Sequence, residues 1–402
     1  MVYHILLVTN VSPALQYGVG TYITQILKGF TMESNFIVSV VELDCDNIDG
    51  FLYMDDNGYD QYLIPSWRRY VAENNKKMFY DEAAHWLASN LDSKRQVIFH
   101  FNTPQDEELI TSLRSILTLS KMITTVHYFD WTIALLGNKW RFHRMLLSKG
   151  ADNHLEHILY TTYIKENRFY HCMDRIICLT NASKSILNKD YNLPSDGLVV
   201  IPNGMEDYSS LNLANDKNTI VPQGTSPILL YVGRLDRSKG LSELIQAFRG
   251  ILNIYPKAQL LIVGDGNFSF CLKECFGIWG HITFTGKVAG DTLYHFYSQA
   301  DLGIIPSYSE QCSYVAIEMM MHGLPFVGTD CDGLKEMLPA SYRVPIHTEN
   351  ESVYIDSKEL AAILLHKLAE PKNGQVFRCL YEKQYRLERM LAKLKKEYEH
   401  LW

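Results

Sequence analysis

No apolar run in the 402-residue chain reaches the ~18–20 residues of a membrane-spanning helix. The start, MVYHILLVTN, has no basic leader and no small-residue cleavage site, so it is expected to be a first strand rather than a secretory signal. Basic charge is not in excess: Lys plus Arg number 38 against 45 Asp plus Glu, a net charge of −7. Bulk nucleic-acid binding, which needs a basic footprint, is therefore excluded. The eight cysteines (Cys45, Cys172, Cys178, Cys271, Cys275, Cys312, Cys331 and Cys379) form no CxxC pair. Cys271 and Cys275 lie four apart, but no second Cys/His pair follows at zinc-like spacing, so no structural metal is expected. Scattered, apolar-flanked thiols fit a reducing compartment, most simply bacterial-type cytosol. Low-complexity segments and internal repeats are also missing. What remains is 47% hydrophobic and 21% charged, near globular averages, which excludes disorder. At ~100–200 residues per domain the length predicts two or three domains.

Short β-branched runs alternate with helical periodicity in both halves. In the first half the strands are expected at Tyr3–Thr9, Phe36–Leu43, Val97–Phe101, Met122–His127, Arg175–Thr180 and Leu198–Ile201. Val19, Tyr22, Ile23, Ile26, Leu27 and Phe30 share one helical face. The second half restarts with Ile228–Val232, Gln259–Val263, Ile282–Thr285, Leu302–Ile305 and Phe326–Thr329. Leu241, Leu244, Ile245, Phe248, Ile251 and Leu252 mark a helix between the first two. Alternating strands and helices, with near-continuous apolar strands, imply parallel sheets covered on both faces. Residues 206–227 are rich in Asn, Ser, Asp, Gly and Pro and read as a linker. The expected domains are 1–205 and 228–375, followed by one amphipathic helix over 376–402.

Open parallel sheets bind ligands at the carboxyl ends of their strands, and unusual residues fall there. Gly18 and Gly20 follow the first strand, His127 closes another, Arg234 follows Ile228–Val232 and Glu310 follows Leu302–Ile305. Arg234 and Lys239 bracket a strand-to-helix turn, where a helix start adds positive potential, and suit an anion such as a diphosphate. The bland reading of the same turn is two solvated cations. Glu310 and Glu318 are eight apart; if both were helical, ~12 Å of axis would separate them. A glycosidase pair needs ~5–9.5 Å, whereas the longer span suits two hydroxyl-bearing groups joined by a diphosphate. The alternative is an N-terminal acid favoured by the helix dipole and an ordinary helical glutamate. The apolar neighbours of Glu318 argue for a partner.

These residues sit in YVGRLDRSKGLSELIQAF (231–248), GKVAGDTLYHFYSQADLGIIPS (286–307), the Glu310…Glu318 pair and GLPFVGTDCDGLKEM (323–337). Together with CLTNASKSIL (178–187) and VVIPNGMED (199–207), they resemble the retaining GT-B glycosyltransferases of family 4, the group 1 glycosyltransferases. The resemblance is strong over Ile176–Leu338. Over Met1–His127 only GVGTYI and the strand ending in His127 fit, and nothing matches between Phe129 and Cys172. It implies a GT-B fold: two Rossmann-like, doubly wound α/β domains facing a central cleft, the first for acceptor and the second for nucleotide sugar, with a C-terminal helix crossing back to the first. It implies that Arg234 and Lys239 bind the donor diphosphate, beside Gly233 and the amides of Gln311, Cys312 and Ser313. Glu310 would contact the sugar, Glu318 the ribose, and Gly286–Val288 the base of a UDP- or GDP-sugar. Gly18 and Gly20 would admit the phosphates, and His127 would lie against the sugar near the reaction centre. No cofactor and no metal is implied, since cations and helix amides take over the metal's electrostatic role. Gln311-Cys312-Ser313 departs from the Gly-Phe-Gly-like residues of many relatives, which leaves the sugar open.

Other readings compete at single segments. Asp44-Cys45-Asp46 and Asp330-Cys331-Asp332 spell D-x-D, a metal–diphosphate motif, but such triplets arise by chance among 45 acids. His127 could be a satisfied core histidine, and Asp130 could take a proton from an acceptor hydroxyl. A nicotinamide-dependent oxidoreductase is disfavoured because its glycines should follow the strand directly, whereas Asn10 to Gly18 intervenes. An inactive scaffold would have lost Arg234, Lys239 or the glutamates. GNKWRFHRMLLSKG (137–150) holds four basic residues and no acid. It is a helix packed on its own domain, a face for anionic lipid at the inner side of the membrane, or a surface for an acidic acceptor.

Overall fold

The apolar runs of the sequence pair with one another. In a computed structural model, which describes residues 2–11, 17–30, 33–56, 58–92, 94–209, 226–288 and 290–402, the chain forms two compact units. The first comprises Met1–His127, Ser148–Gly204 and Leu387–Trp402; the second comprises Tyr128–Leu147 and Met205–Arg386.

The strands of the first unit are β1 (Tyr3–Asn10), β2 (Phe36–Cys45), β3 (Leu52–Asp56), β4 (Tyr59–Pro65), β5 (Gln96–Phe101), β6 (Lys121–Val126), β7 (Arg175–Cys178) and β8 (Leu198–Val200). They lie in the order β3-β4-β2-β1-β5-β6-β7-β8. β1 is central and its residues from Tyr3 to Thr9 are buried on both faces, which is why it reads as a continuous apolar run rather than an alternation. Tyr3 pairs in parallel with Phe36 on one side and Gln96 on the other. The second unit carries β9 (Ile228–Val232), β10 (Gln259–Val263), β11 (Ile282–Gly286), β12 (Leu302–Ile305), β13 (Phe326–Thr329) and β14 (Arg343–Val344). All are parallel, in the order β11-β10-β9-β12-β13-β14. Its core is closed by the helix Leu241–Leu252, whose Leu241, Leu244, Ile245, Phe248 and Ile251 are the buried face that the sequence periodicity marks.

The expected strands are all present, with ends shifted by at most two residues. Three expectations are corrected. First, β3 and β4 form an antiparallel hairpin at the sheet edge that was not foreseen, with β4 then parallel to β2. Second, Tyr128–Leu147 belongs to the second unit rather than to 1–205. The reason is local: Asn138 Nδ2 donates to the Asn350 carbonyl at 2.8 Å, Lys139 pairs with Asp332 at 2.8 Å, and Arg144 pairs with Glu351. Third, the tail is not one helix. Gly374–Leu380 packs in the second unit, Tyr381–Tyr385 widens to a π-turn, and Arg386 is extended (φ −65°, ψ 143°) before the helix Leu387–His400. Most of the linker 206–227 lies outside the described residues.

The helix Leu387–His400 completes the first unit. Leu394 and Tyr398 are fully buried, and Lys395 Nζ meets Glu33 Oε2 at 2.6 Å. The Tyr398 hydroxyl bonds His100 Nδ1 at 2.7 Å, and His100 Nε2 bonds Thr125 Oγ1 at 2.7 Å. Burial pushes His100 down to about 3, so its ring is neutral and one nitrogen must donate while the other accepts. Tyr398→Phe leaves one buried ring nitrogen unpaired and is expected to destabilise the first unit by about 1–3 kcal/mol. The urea midpoint reads this; an unchanged midpoint would show that the bond contributes nothing.

Candidate functional site

Strand order in the second unit reverses at β9: β10 and β11 extend the sheet one way, β12 to β14 the other. Ligands gather beyond the carboxyl ends at such a point. The turn after β9 and the loop after β12 meet there. Tyr308 N–H donates to Ser238 O at 2.9 Å. Lys239 Nζ lies 2.6 Å from Glu310 Oε1, with the two side chains only 19% and 14% exposed. Their approach requires glycine: at Gly240 (φ 65°) a Cβ would sit 2.0 Å from the Pro306 carbonyl oxygen, and at Gly264 (φ 145°) 1.8 Å from that of Gly233.

Asp236 organises the turn. One oxygen accepts from Ser238 N at 2.9 Å and caps the 3₁₀ turn Arg237–Lys239; the other meets Arg234 Nη2 at 3.3 Å. The Tyr231 hydroxyl donates to the Arg234 carbonyl at 2.6 Å. Gln311, Cys312 and Ser313 are buried, and Ser313 caps the helix Tyr314–Met321. Glu310 therefore precedes that helix, and the axial spacing expected for two helical glutamates does not apply. Glu318 does lie on the helix, where the Tyr297 hydroxyl donates to its Oε2 at 2.6 Å. Burial pushes the Glu318 carboxyl up to about 7, and the Tyr297 bond opposes the rise. Tyr294 and Tyr297 lie against His322 at 5.1 and 5.3 Å. Gly286 (φ 72°) ends β11, and Val288 follows.

The structure thus brings Gly233, Arg234, Lys239, Glu310 and Gln311–Ser313 to one sheet edge. His127, Gly18 and Gly20 belong to the first unit. Gly18 and Gly20 are in the first turn of the helix Gly18–Phe30 rather than in a loop before it. That helix carries Tyr22, whose ring meets His127 edge-on at 4.8 Å. His127 Nε2 lies 3.1 Å from Asn102 Oδ1, and Asn102 Nδ2 donates to the carbonyls of Val8 and His100 at 3.4 and 3.2 Å. The amide is therefore oriented with its oxygen toward His127, so the imidazole donates from Nε2 and keeps Nδ1 as an acceptor. Burial lowers His127 to about 3, so it is neutral at ordinary pH.

Asp330 Oδ1 accepts from Ile346 N at 2.8 Å and Asp332 pairs with Lys139, both structural roles. Among the described residues no group of three or more His, Cys, Asp or Glu could hold a metal ion, and no helix is long and apolar enough to cross a membrane. In the segment 137–150, Phe142 and Met145 are buried while Leu147 is 86% exposed. Asp130 opens the short helix Asp130–Ala134 and is exposed. Sequence reasoning missed Asp236, Tyr231, Tyr297 and Asn102. It also passed over Gly264-Asp265-Gly266 directly after β10, whose glycine spacing was a usable signal.

Comparison with known proteins adds the following. Residues 214–351 match the family model described as glycosyl transferases group 1, and residues 17–207 match that of glycosyltransferase family 4. An uncharacterized glycosyltransferase of Methanocaldococcus jannaschii is 32% identical over 193 residues, which are 44% of this chain and 49% of that relative. The chain thus spans about half the length of that curated relative. Among solved structures, sucrose-phosphate synthase from Thermosynechococcus elongatus superposes with a TM-score of 0.72 at 18% identity, covering 99% of each chain. The Anabaena protein HepE in complex with UDP and glucose gives a TM-score of 0.66 at 14% identity, covering 98% of this chain and 99% of its own. At these identities the likeness is one of fold.

The ordinary glutamate value of 4.5 applies to the unfolded chain, and the folded value of Glu318 lies near 7. The unfolded state then releases its proton first, so stability from this group falls as pH rises from about 4.5 to about 7. Glu318→Gln is expected to flatten that part of the stability profile. Carboxyl ¹³C shifts should show Glu318 titrating near 7 and moving higher in Tyr297→Phe. A titration at the ordinary value would remove the argument.

Proposed function

The chain belongs to the glycosyltransferases of group 1 and family 4 and has their GT-B fold, and on that footing we propose that it moves a hexose-type sugar from a nucleoside-diphosphate donor to a hydroxyl acceptor. The observation that carries the reading is the Lys239–Glu310 pair at the ends of β9 and β12, with Arg234 on the same turn. Arg234 and Lys239 bind the diphosphate and stabilise the charge that grows on it as the anomeric carbon–oxygen bond breaks. The start of the helix Tyr314–Met321, with Gln311–Ser313 before it, adds backbone donors and positive potential.

Glu310 reads the sugar and Glu318 the ribose hydroxyls. Gly286–Val288 meet a uracil or guanine base. The neutral His127 acts by hydrogen bonding and shape, not by charge. Two side-chain cations supply what a divalent ion would, so the donor is held without metal or cofactor. As the bond to the diphosphate breaks, the acceptor oxygen bonds the anomeric carbon on the face the diphosphate leaves and gives its proton to the departing diphosphate oxygen, within an ion pair, and configuration is retained. UDP bound to the fold neighbour HepE favours uridine. Eight free thiols support a reducing, cytoplasmic setting. The basic helix Lys139–Ser148 has two of its cations answered by Asp332 and Glu351. This favours a packing role, and contact with anionic lipid then falls to its exposed Trp140 and Leu147.

Calorimetry with UDP and GDP in chelator-treated buffer is expected to show uptake of one of them. No uptake of either at millimolar concentration would overturn the proposal. Arg234→Ala should lower kcat/KM by about 10²-fold or more through kcat, while Glu318→Ala should raise donor KM. Unchanged kinetics in either variant would count against its assigned role.

A further inference from the structure

Glu318 is braced by residues outside the strand-end motifs of the second sheet. It is half-buried on the helix Tyr314–Met321, between the fully buried Ile317 and Met319. Its partner comes from another helix, Gly290–Gln299, where the Tyr297 hydroxyl donates to Glu318 Oε2 at 2.6 Å. That helix starts shortly after Gly286, which ends β11. Tyr297 is 2% exposed, and its ring stacks on His322 at 5.3 Å. Tyr294, one turn earlier, lies against His322 at 5.1 Å, and Tyr208 stacks on Tyr294 at 5.7 Å. His322 in turn closes the Glu318 helix, its N–H donating to the Glu318 carbonyl at 3.0 Å. A four-ring stack therefore ties the two helices together where hydroxyl meets carboxylate, and packed rings of this kind hold their geometry.

The charged groups on the packed elements are engaged elsewhere. Arg378 pairs with Asp207 and Glu382, Lys239 with Glu310, and Arg234 with Asp236. Burial lowers His322 to about 4, so that ring is neutral. Among the described residues no charged group shifts Glu318: burial disfavours its ionised form, the Tyr297 hydroxyl favours it, and the balance falls near neutral pH. Burial also holds the Tyr297 hydroxyl in its protonated form, so it donates throughout that range. An ionised carboxylate offers about four acceptor sites on two oxygens. Tyr297 takes one on Oε2, which leaves Oε1 for the vicinal hydroxyls of a ribose. The protonated acid has fewer acceptor sites, and hydrogen bonds to it are weaker than those to the charged form.

We propose that Tyr297 is a positioning residue that makes Glu318 select ribose over 2′-deoxyribose only as a carboxylate, an inference that rests on the glycosyltransferase function above. Ribose hydroxyls that donate to the carboxylate stabilise its ionised form. Donor binding therefore releases a proton near neutral pH, and selection for ribose fades as pH falls through the Glu318 midpoint.

Calorimetry on the full chain tests this without turnover. The probes are UDP with 2′-deoxy-UDP and GDP with 2′-deoxy-GDP. The phosphates within each pair titrate alike, so the ratio of affinities isolates the ribose hydroxyl. In the pair that binds, preference for the ribonucleotide is expected to fall about tenfold from about pH 8 to about pH 6, the change in ionised fraction around a midpoint near 7. Tyr297→Phe keeps its ring in the stack and loses only the donor, so the midpoint should move to higher pH. Glu318→Gln should make the ratio independent of pH. A tyrosine with a structural role alone would lower stability and leave the midpoint in place. In the wild type, titrations in two buffers of different ionisation heat should count more protons released by the ribonucleotide than by its deoxy partner. Equal release overturns the proposal whether or not the phenylalanine variant folds, as does a wild-type ratio that ignores pH or an unmoved midpoint in Tyr297→Phe. Absent uptake of all four nucleotides overturns the transferase reading and the role of Tyr297 with it.

Discussion

Lys239 and Glu310 come within 2.6 Å because two loops from neighbouring parallel strands leave the sheet at the same edge. Everything proposed for the donor follows from that constraint. Removing either partner would leave a sheltered charge unanswered, which costs far more than the pair itself contributes. The pair is therefore better understood as fixing geometry than as adding stability. It holds the lysine at the strand end where an anion would lie, and Asp236 does the same for Arg234. The glycines allow the loops to close to backbone contact, so the cations rest on a rigid frame rather than on a mobile surface turn.

Two ionisable groups outside that pair illustrate how environment sets charge. Glu318 and His127 are both driven toward their neutral forms by desolvation. For Glu318 this puts the change of charge near neutral pH, and the Tyr297 hydroxyl donates to it. For His127 it removes charge altogether at ordinary pH, and Asn102 then decides which nitrogen carries the proton. A neutral ring with a fixed tautomer can recognise a hydroxyl but cannot act as a cation toward a leaving diphosphate. Arg234 and Lys239 instead present side-chain cations at the carboxyl edge of the second sheet.

Much of this was legible in the sequence because parallel strands buried on both faces write themselves as apolar runs. Ile228–Val232, Gln259–Val263, Leu302–Ile305 and Phe326–Thr329 were located to the residue. Residues placed just beyond such runs are automatically at the ligand edge, which is how Arg234, Lys239 and Glu310 could be named together. What was not legible depends on long-range partners. The edge hairpin β3–β4 alternates weakly, and its clearest mark, the dipeptide Asn57-Gly58, was the turn signal to follow. The break at Arg386 has no glycine or proline to announce it; the chain bends there because Phe377 and Tyr381 are buried in one unit while Leu394 and Tyr398 are buried in the other. Asp236, Tyr297 and Asn102 are ordinary polar residues until their contacts are known.

The same break explains why linear boundaries describe this chain poorly. Each unit is assembled from segments far apart in sequence, and neither core closes without its distant piece. The first unit takes Tyr398 to satisfy His100, and the second takes Lys139 and Arg144 to pair with Asp332 and Glu351. A fragment ending at 205 would leave His100 without its tyrosine and would expose the apolar face that Leu394 covers. It would also carry Phe129, Trp131 and Phe142, all buried in the native chain, with no second unit to bury them. The make-up of each unit is therefore a property of the whole chain and not of either half of the sequence.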